Sequence, residues 1–301
     1  PLLRFNTCPP HVMTTDLFAN TPASPSDPLG HDELEIARAM AILWSYRPRT
    51  VLHNALRLLD HKRGDGRAFT VENIKEVQKS LRERELLEEH PARQGYYRLT
   101  AAYRNDLYRD ILATADWRAL ERVLYELSGV RPGTHSFYWQ VYDREATVAI
   151  VRLNLLGGAS VEPLNAMKAR IEQSMGWGGI LKEAVLEDFD PETFVRIAPE
   201  WRWRLALDAV TGLSLDWNAH LLPIAGWTLA QAARKNSDAP HYIYLGLAEM
   251  LLHRGQRELA LVLLEGFQDG ASGALRAFAL AQEGRWSEAQ TAFEAAIKLR
   301  Q

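Results

Sequence analysis

The chain has 301 residues, 47% of them hydrophobic and 24% charged, with 35 Lys/Arg against 38 Asp/Glu and a net charge of −3. This is globular composition, long enough for two domains of about 100–200 residues each, and it excludes both a disordered polyelectrolyte and a nucleic-acid polycation. The single cysteine, Cys8, excludes an intrachain disulfide framework and a cysteine-built metal site, which points to a reducing, cytoplasmic setting.

No membrane or export segment is expected. The first thirty residues lack a basic start followed by an apolar core. The most apolar later stretch, around 205–233, is broken by Asp208, Asp216, Asn218, His220 and Pro223. It falls short of the roughly 18 uninterrupted apolar residues of a membrane span.

Residues 1–30 show no period and are punctuated by proline, so they read as an irregular N-terminal arm. The first helix is predicted at HDELEIARAMAILWS, with Asp32 as N-cap, Glu35 at capping-box spacing and Ile36, Ala37, Met40 and Trp44 on the apolar stripe. Pro48 breaks it. TVLHNALRLLDHKR follows as a second helix, ended by Gly64 and Gly66. TVENIKEVQKSLRER is the third, capped by Thr70 with Asn73 at the third helical position and Ile74, Val77 and Leu81 facing inward. ELLEEHPARQGYYRLT then shifts to a strand, the six-residue loop HPARQG and a return strand rich in β-formers. AAYRNDLYRDILATA is helical again.

From Asp116 onward nearly every segment reads as helix, interrupted by Gly, Pro or Asp at intervals, as in an α-solenoid of paired helices. HSFYWQVYD, with Phe137, Tyr138, Trp139 and Tyr142, is β-prone by itself but also fits the start of a long helix through 151. Near the end, YLGLAEMLLHRGQRELALVLLEGF aligns with LRAFALAQEGRWSEAQTAFEAAI at a spacing of 29 residues. Gly255 then matches Gly284, Ala248 matches Ala277, Leu251 matches Leu280, Ala260 matches Ala289 and Leu264 matches Phe293. Small residues let antiparallel helices approach, the glycine makes the turn and the large residue fills the groove beside it. Gln301 follows directly on a repeat helix with no evident capping helix, so the chain is expected to be a piece of a longer polypeptide, unless a polar last helix serves as the cap.

Motifs for chemistry are missing. No phosphate-binding G-x-x-x-x-G-K-[ST], dinucleotide G-x-G-x-x-G, zinc H-E-x-x-H or nucleophile elbow G-x-S-x-G occurs. LEDFDPET lacks the glycine and ligand spacing of a calcium loop. The expectation is therefore a non-enzymatic chain without cofactor or metal.

Nucleic-acid affinity, if present, belongs to residues 31–115, which hold 15 Lys/Arg against 13 Asp/Glu. The richest basic run supplies Arg47, Arg49, Arg57, Lys62, Arg63 and Arg67. The third helix offers Asn73, Lys75, Gln78, Lys79 and Arg82, side chains suited to phosphates and base edges, with Glu72, Glu76 and Glu83 working against them. The hairpin adds Arg93 and Arg98, opposed by Glu88 and Glu89. Trp201, Arg202 and Trp203 in PEWRWRL read either as a partner-binding cluster or as the packed start of a helix.

TVENIKEVQKSLRER followed by ELLEEHPARQGYYRLT resembles the winged-helix superfamily over residues 31–115, on element order and on the hairpin. Residues 240–301 resemble tetratricopeptide repeats. The fold expected is thus mainly α: a winged helix (three helices plus a β-hairpin) at 31–115 joined to a tetratricopeptide-like helical-repeat solenoid at 116–301. This domain order is similar to the N-terminal region of bacterial DEAD/DEAH-box helicase-like proteins of the Swi/Snf type. The resemblance implies a non-catalytic module of a larger DNA-acting ATPase. Its repeats would grip a protein partner or downstream domains of the same polypeptide, and its winged helix would touch double-stranded DNA weakly. The alternative is a stand-alone winged-helix transcription regulator.

Overall fold

The computed structural model describes residues 28–128, 143–172, 176–186, 188–215, 219–234 and 236–299. Cys8, nearly all of the N-terminal arm and the aromatic run Phe137, Tyr138, Trp139 and Tyr142 lie outside the described residues. The molecule is mainly α-helical, with one small sheet among the described residues. It divides into two compact units between Ala198 and Pro199.

The first unit opens with α1 (His31–Leu43), a two-residue strand β1 (Arg47–Pro48), α2 (Arg49–Leu58) and α3 (Val71–Glu83). A hairpin of β2 (Leu87–Glu89) and β3 (Tyr96–Leu99) leads into α4 (Ala101–Thr114). α3 starts as its sequence predicts: the Thr70 hydroxyl accepts the Asn73 N–H, and the Asn73 side chain accepts from the Thr70 N–H in return. α1 is capped two residues earlier than its sequence suggests. Gly30 is the N-cap and donates its N–H to Glu33 Oε2 at 2.9 Å, while Asp32 instead accepts from the Gly64 N–H at 2.7 Å. α2 stops at Leu58 and does not run on to Arg63. Asp60 there takes a left-handed φ of +53°, and Lys62 forms a β-bridge with Ala68.

The sheet runs β1-β3-β2, antiparallel throughout. Leu87 pairs with Leu99 and Glu89 with Tyr97, and on the other side Arg47 pairs with Tyr97. The six-residue loop 90–95 falls where the sequence puts it. β1 was not expected. A two-residue strand that includes a proline carries no periodicity, and proline can join a sheet only at an edge, which is where Pro48 sits. Ile36, Met40, Leu52, Leu56, Ile74, Leu81, Leu99 and Leu107 form the core beneath these elements.

Residues 117–198 pack into this same unit: α5 (Trp117–Ser128), α6 (Arg144–Leu156), α7 (Val161–Glu172), α8 (Trp177–Leu181) with a π-helical turn at Lys182–Leu186, and α9 (Pro191–Phe194). α6 is buried at every residue from Ala146 to Leu156, against α1, α5 and α8. A helix surrounded on all sides must satisfy its polar groups internally. Asn154 donates to Glu121 at 2.6 Å. Arg152 donates to the Ala184 carbonyl and to Asn105, with its guanidinium 3.2 Å from the centre of the Trp44 ring. Arg104 also lies against Trp44, at 4.1 Å, and pairs with Asp188. Burial pushes Arg152 down to about 9 and Arg104 down to about 10, so both remain cations at neutral pH.

The second unit contains α10 (Pro199–Leu215), a 3₁₀ turn at Ala219–Leu221, α11 (Leu222–Ala232), α12 (His241–His253), α13 (Arg257–Leu263), α14 (Gly270–Gln282) and α15 (Trp286–Lys298). α12 and α14 start 29 residues apart, as do α13 and α15. Gly255 and Gly284 take φ of +72° and +75° at the two equivalent turns, a conformation that L side chains rarely adopt. Ala248, Ala277, Ala260 and Ala289 are all buried where the helices approach.

Candidate nucleic-acid interface

Thirteen side chains between Arg47 and Arg98 have the chemistry to meet a nucleic acid, and the fold sorts them. A groove of about 370 Å³ runs along α3, lined by Arg49, Glu72, Lys75, Glu76, Gln78, Lys79, Arg82 and Tyr97. It gathers five of the thirteen. Lys75, Lys79 and Arg82 are exposed and recur at i, i+4 and i+7, so they form one ridge along the helix, with Glu83 3.7 Å from Lys79. Arg49, at the start of α2, forms the floor: its Nε donates to Gln78 Oε1 at 2.7 Å and its guanidinium lies 5.5 Å from the centre of the Tyr97 ring. The lining holds four cations and two carboxylates, so the groove is net positive in a chain that is net negative.

Gln78 is not available for reading bases. It is buried, with 3% exposure, and its amide oxygen is engaged by Arg49. Its position follows from its spacing, four residues after Ile74 and three before Leu81, which is the inward stripe. The Asn73 side chain serves the N-terminal cap of α3. The base-reading capacity expected of this helix is therefore reduced, and what remains is suited to phosphate.

The other basic candidates are mostly held by carboxylates. Arg47 is buried and its Nη1 donates to Asp143 Oδ2 at 2.7 Å, which removes it from any surface. Arg63 pairs with Asp32 and Asp65, each at 3.3 Å, and Lys62 with Asp60 at 3.2 Å. On the hairpin, Arg93 reaches Glu145 of α6 at 2.9 Å. Arg98 donates to Glu88 at 2.9 Å and lies 4.4 Å from the centre of the Tyr46 ring. Burial lowers the Arg98 pKa, but the Asp188 and Glu88 carboxylates outweigh it and raise it overall. Arg57 and Arg67 are exposed. Both hairpin arginines thus have carboxylate partners.

Trp201 and Trp203 are both buried, and Trp203 packs against Trp227 at 5.7 Å. Arg202 pairs with Asp238 at 2.9 Å. This cluster belongs to the core of the second unit and offers no surface to a partner. The alternation W-R-W-R leaves both readings open; in α10 the two tryptophans are buried together with Leu205, Ala206, Ala209 and Val210.

A Ser–His–Asp grouping occurs at the start of α14, and its geometry is that of a cap. The Ser272 hydroxyl is buried and donates to Asp269 Oδ2 at 2.6 Å, and Asp269 also accepts the Ala271 and Ser272 N–H groups. His241 Nε2 stands 3.2 Å from Asp269 and 3.3 Å from Ser272. Nucleophilic attack needs a serine that faces substrate, and Ser272 is fully buried. Among the described residues no group of three or more His, Cys, Asp or Glu is placed to hold a metal ion, and no helix is long and apolar enough to cross a membrane. Comparison with protein-family models, with curated proteins and with solved structures gave no match to this chain.

Proposed function

We propose that this chain is a non-catalytic interaction module. A winged-helix-like first unit touches the phosphate backbone of double-stranded DNA weakly, and tetratricopeptide-like repeats in the second unit bind protein. The observation that carries the DNA contact is the α3 groove, where Lys75, Lys79 and Arg82 form an exposed ridge above Arg49. The order helix, strand, helix, helix, hairpin, with the sheet order β1-β3-β2, supports the winged-helix reading. The 29-residue register and its two positive-φ glycines support the repeat reading. A role beside the motor of a larger DNA-acting ATPase remains our reading of the domain order.

Weak and sequence-tolerant contact follows from the chemistry. Asn73 and Gln78 are engaged within the protein, and carboxylates hold Arg47, Arg63, Arg93 and Arg98. Non-specific DNA binding by such a ridge falls at dissociation constants of about 10⁻⁴–10⁻⁶ M. Fluorescence anisotropy with a labelled duplex at several salt concentrations tests it. Three or four phosphate contacts predict a log–log salt slope of about −3, the same for unrelated sequences. Nanomolar binding to one sequence would replace this reading with that of a dedicated transcription regulator.

A further inference from the structure

The floor of the α3 groove is built differently from its rim. Arg49 is half-buried and held from two sides: its Nε donates to Gln78 Oε1 at 2.7 Å, and its guanidinium lies 5.5 Å from the centre of the Tyr97 ring. That bond uses Nε alone and leaves the two Nη groups as donors. Among the described residues Arg49, Lys75 and Arg82 form no ion pair, whereas Arg47, Arg63, Arg93 and Arg98 each do. Gln78 adds an unmet donor: it is 3% exposed, and its Nε2 is buried without a hydrogen-bond partner among the described residues. Native proteins leave few such groups, because an unmade buried bond is costly. Arg49 is also the first residue of α2, whose N-cap, Pro48, has no side chain to accept from the first turn. The positive end of that helix dipole therefore falls at the residue that floors the groove.

These features specify a ligand group. The lining holds four cations against two carboxylates, a surplus of two positive charges. A terminal phosphate carries about two negative charges near neutral pH and offers three free oxygens. An internal phosphodiester carries a single charge and is flanked by sugar on both sides. The exposed ridge of Lys75, Lys79 and Arg82 can meet internal phosphates from outside, but Gln78 is buried and Arg49 half-buried beneath it. A group attached through one oxygen reaches that depth more easily than one hemmed in on two sides. The planar fork of Arg49 suits a pair of phosphate oxygens, and the Gln78 amide can donate to another. We infer that the floor of the α3 groove is a seat for one terminal phosphate of a nucleic-acid chain, held by Arg49 and Gln78 with Lys75 and Arg82 at the rim. The inference rests on the DNA-contact reading of the ridge and adds to it a preference for phosphorylated ends.

The probe is one labelled blunt duplex, prepared with and without 5′-phosphates and titrated into the full chain at low salt by fluorescence anisotropy. The phosphorylated form should bind about ten-fold more tightly, as expected of one hydrogen bond to a charged group. Arg49→Lys keeps the charge and loses the planar fork, so it should bring the ratio of the two affinities toward one, a change that general electrostatic attraction would not produce. Gln78→Leu keeps the buried volume and should lower the ratio as well. Inorganic phosphate, added at constant ionic strength, should bring the affinity of the phosphorylated duplex down toward that of the hydroxyl-ended one. Equal affinities of the two duplexes for the unaltered chain would overturn the seat and leave the ridge standing, and this comparison needs no variant to fold. A ratio unchanged in Arg49→Lys would place the preference elsewhere and overturn the seat too. No binding of either duplex would overturn both readings. Inorganic phosphate binding more tightly than the phosphorylated end would give the seat to a small soluble phosphate and overturn its assignment to nucleic acid.

Discussion

Arg104 shows how closely single residues are tied into the first unit. It is buried, its Nη1 donates to the Trp44 carbonyl at 2.8 Å, and it neutralises Asp188. Arg104→Ala would leave Asp188 to Arg98, whose Nη1 lies 4.0 Å away. Removing one partner of a buried pair costs about 3–5 kcal/mol, so urea denaturation should show the midpoint falling accordingly. Asp269 gives a second test through pH. Burial raises its pKa, but hydrogen bonds from the Ser272 side chain and backbone, with His241 nearby, outweigh it and hold the carboxyl down to about 2. The folded pKa lies below the ordinary carboxylate value, so this stabilisation is present above about pH 4 and lost as pH falls toward about 2. Asp269→Ala, which also removes the α14 cap, should lower the melting temperature at pH 6, and the gap to the unaltered chain should narrow on acidification. The Arg104 contacts are not legible in the sequence: Trp44 and Arg104 are 60 residues apart, and nothing in a one-dimensional pattern marks an arginine as buried.

Elements were read more reliably than contacts. The cap at Thr70, the six-residue hairpin loop and the 29-residue register all follow from local chemistry, and the sequence carries local chemistry directly. β1 escaped because two residues hold no period. The early stop of α2 escaped because a left-handed Asp60 leaves no signature of its own. Aromatic residues test the distinction between stripe and surface. Trp201 is buried and Trp286 is exposed. Trp201→Ala should cost about 3–5 kcal/mol by opening a cavity, whereas Trp286→Ala should stay within about 0.5 kcal/mol. Thermal denaturation of both variants separates them, and equal losses would contradict the burial pattern of the second unit.

At the scale of the whole molecule, charge decides what the first unit can touch. Counting Lys and Arg along the chain exaggerates the basic surface, because pairing with carboxylates is a tertiary property. The thirteen candidates reduce to a ridge on α3, its Arg49 floor and two exposed arginines, Arg57 and Arg67. The most direct test of this account is duplex-DNA binding by the full chain against the Lys75→Glu/Lys79→Glu/Arg82→Glu variant, at low and moderate salt. The account predicts that the variant loses nearly all measurable affinity and that the unaltered chain binds unrelated duplexes alike, with a salt slope near −3. Undiminished binding by the variant, or no binding by the unaltered chain at low salt, would contradict it.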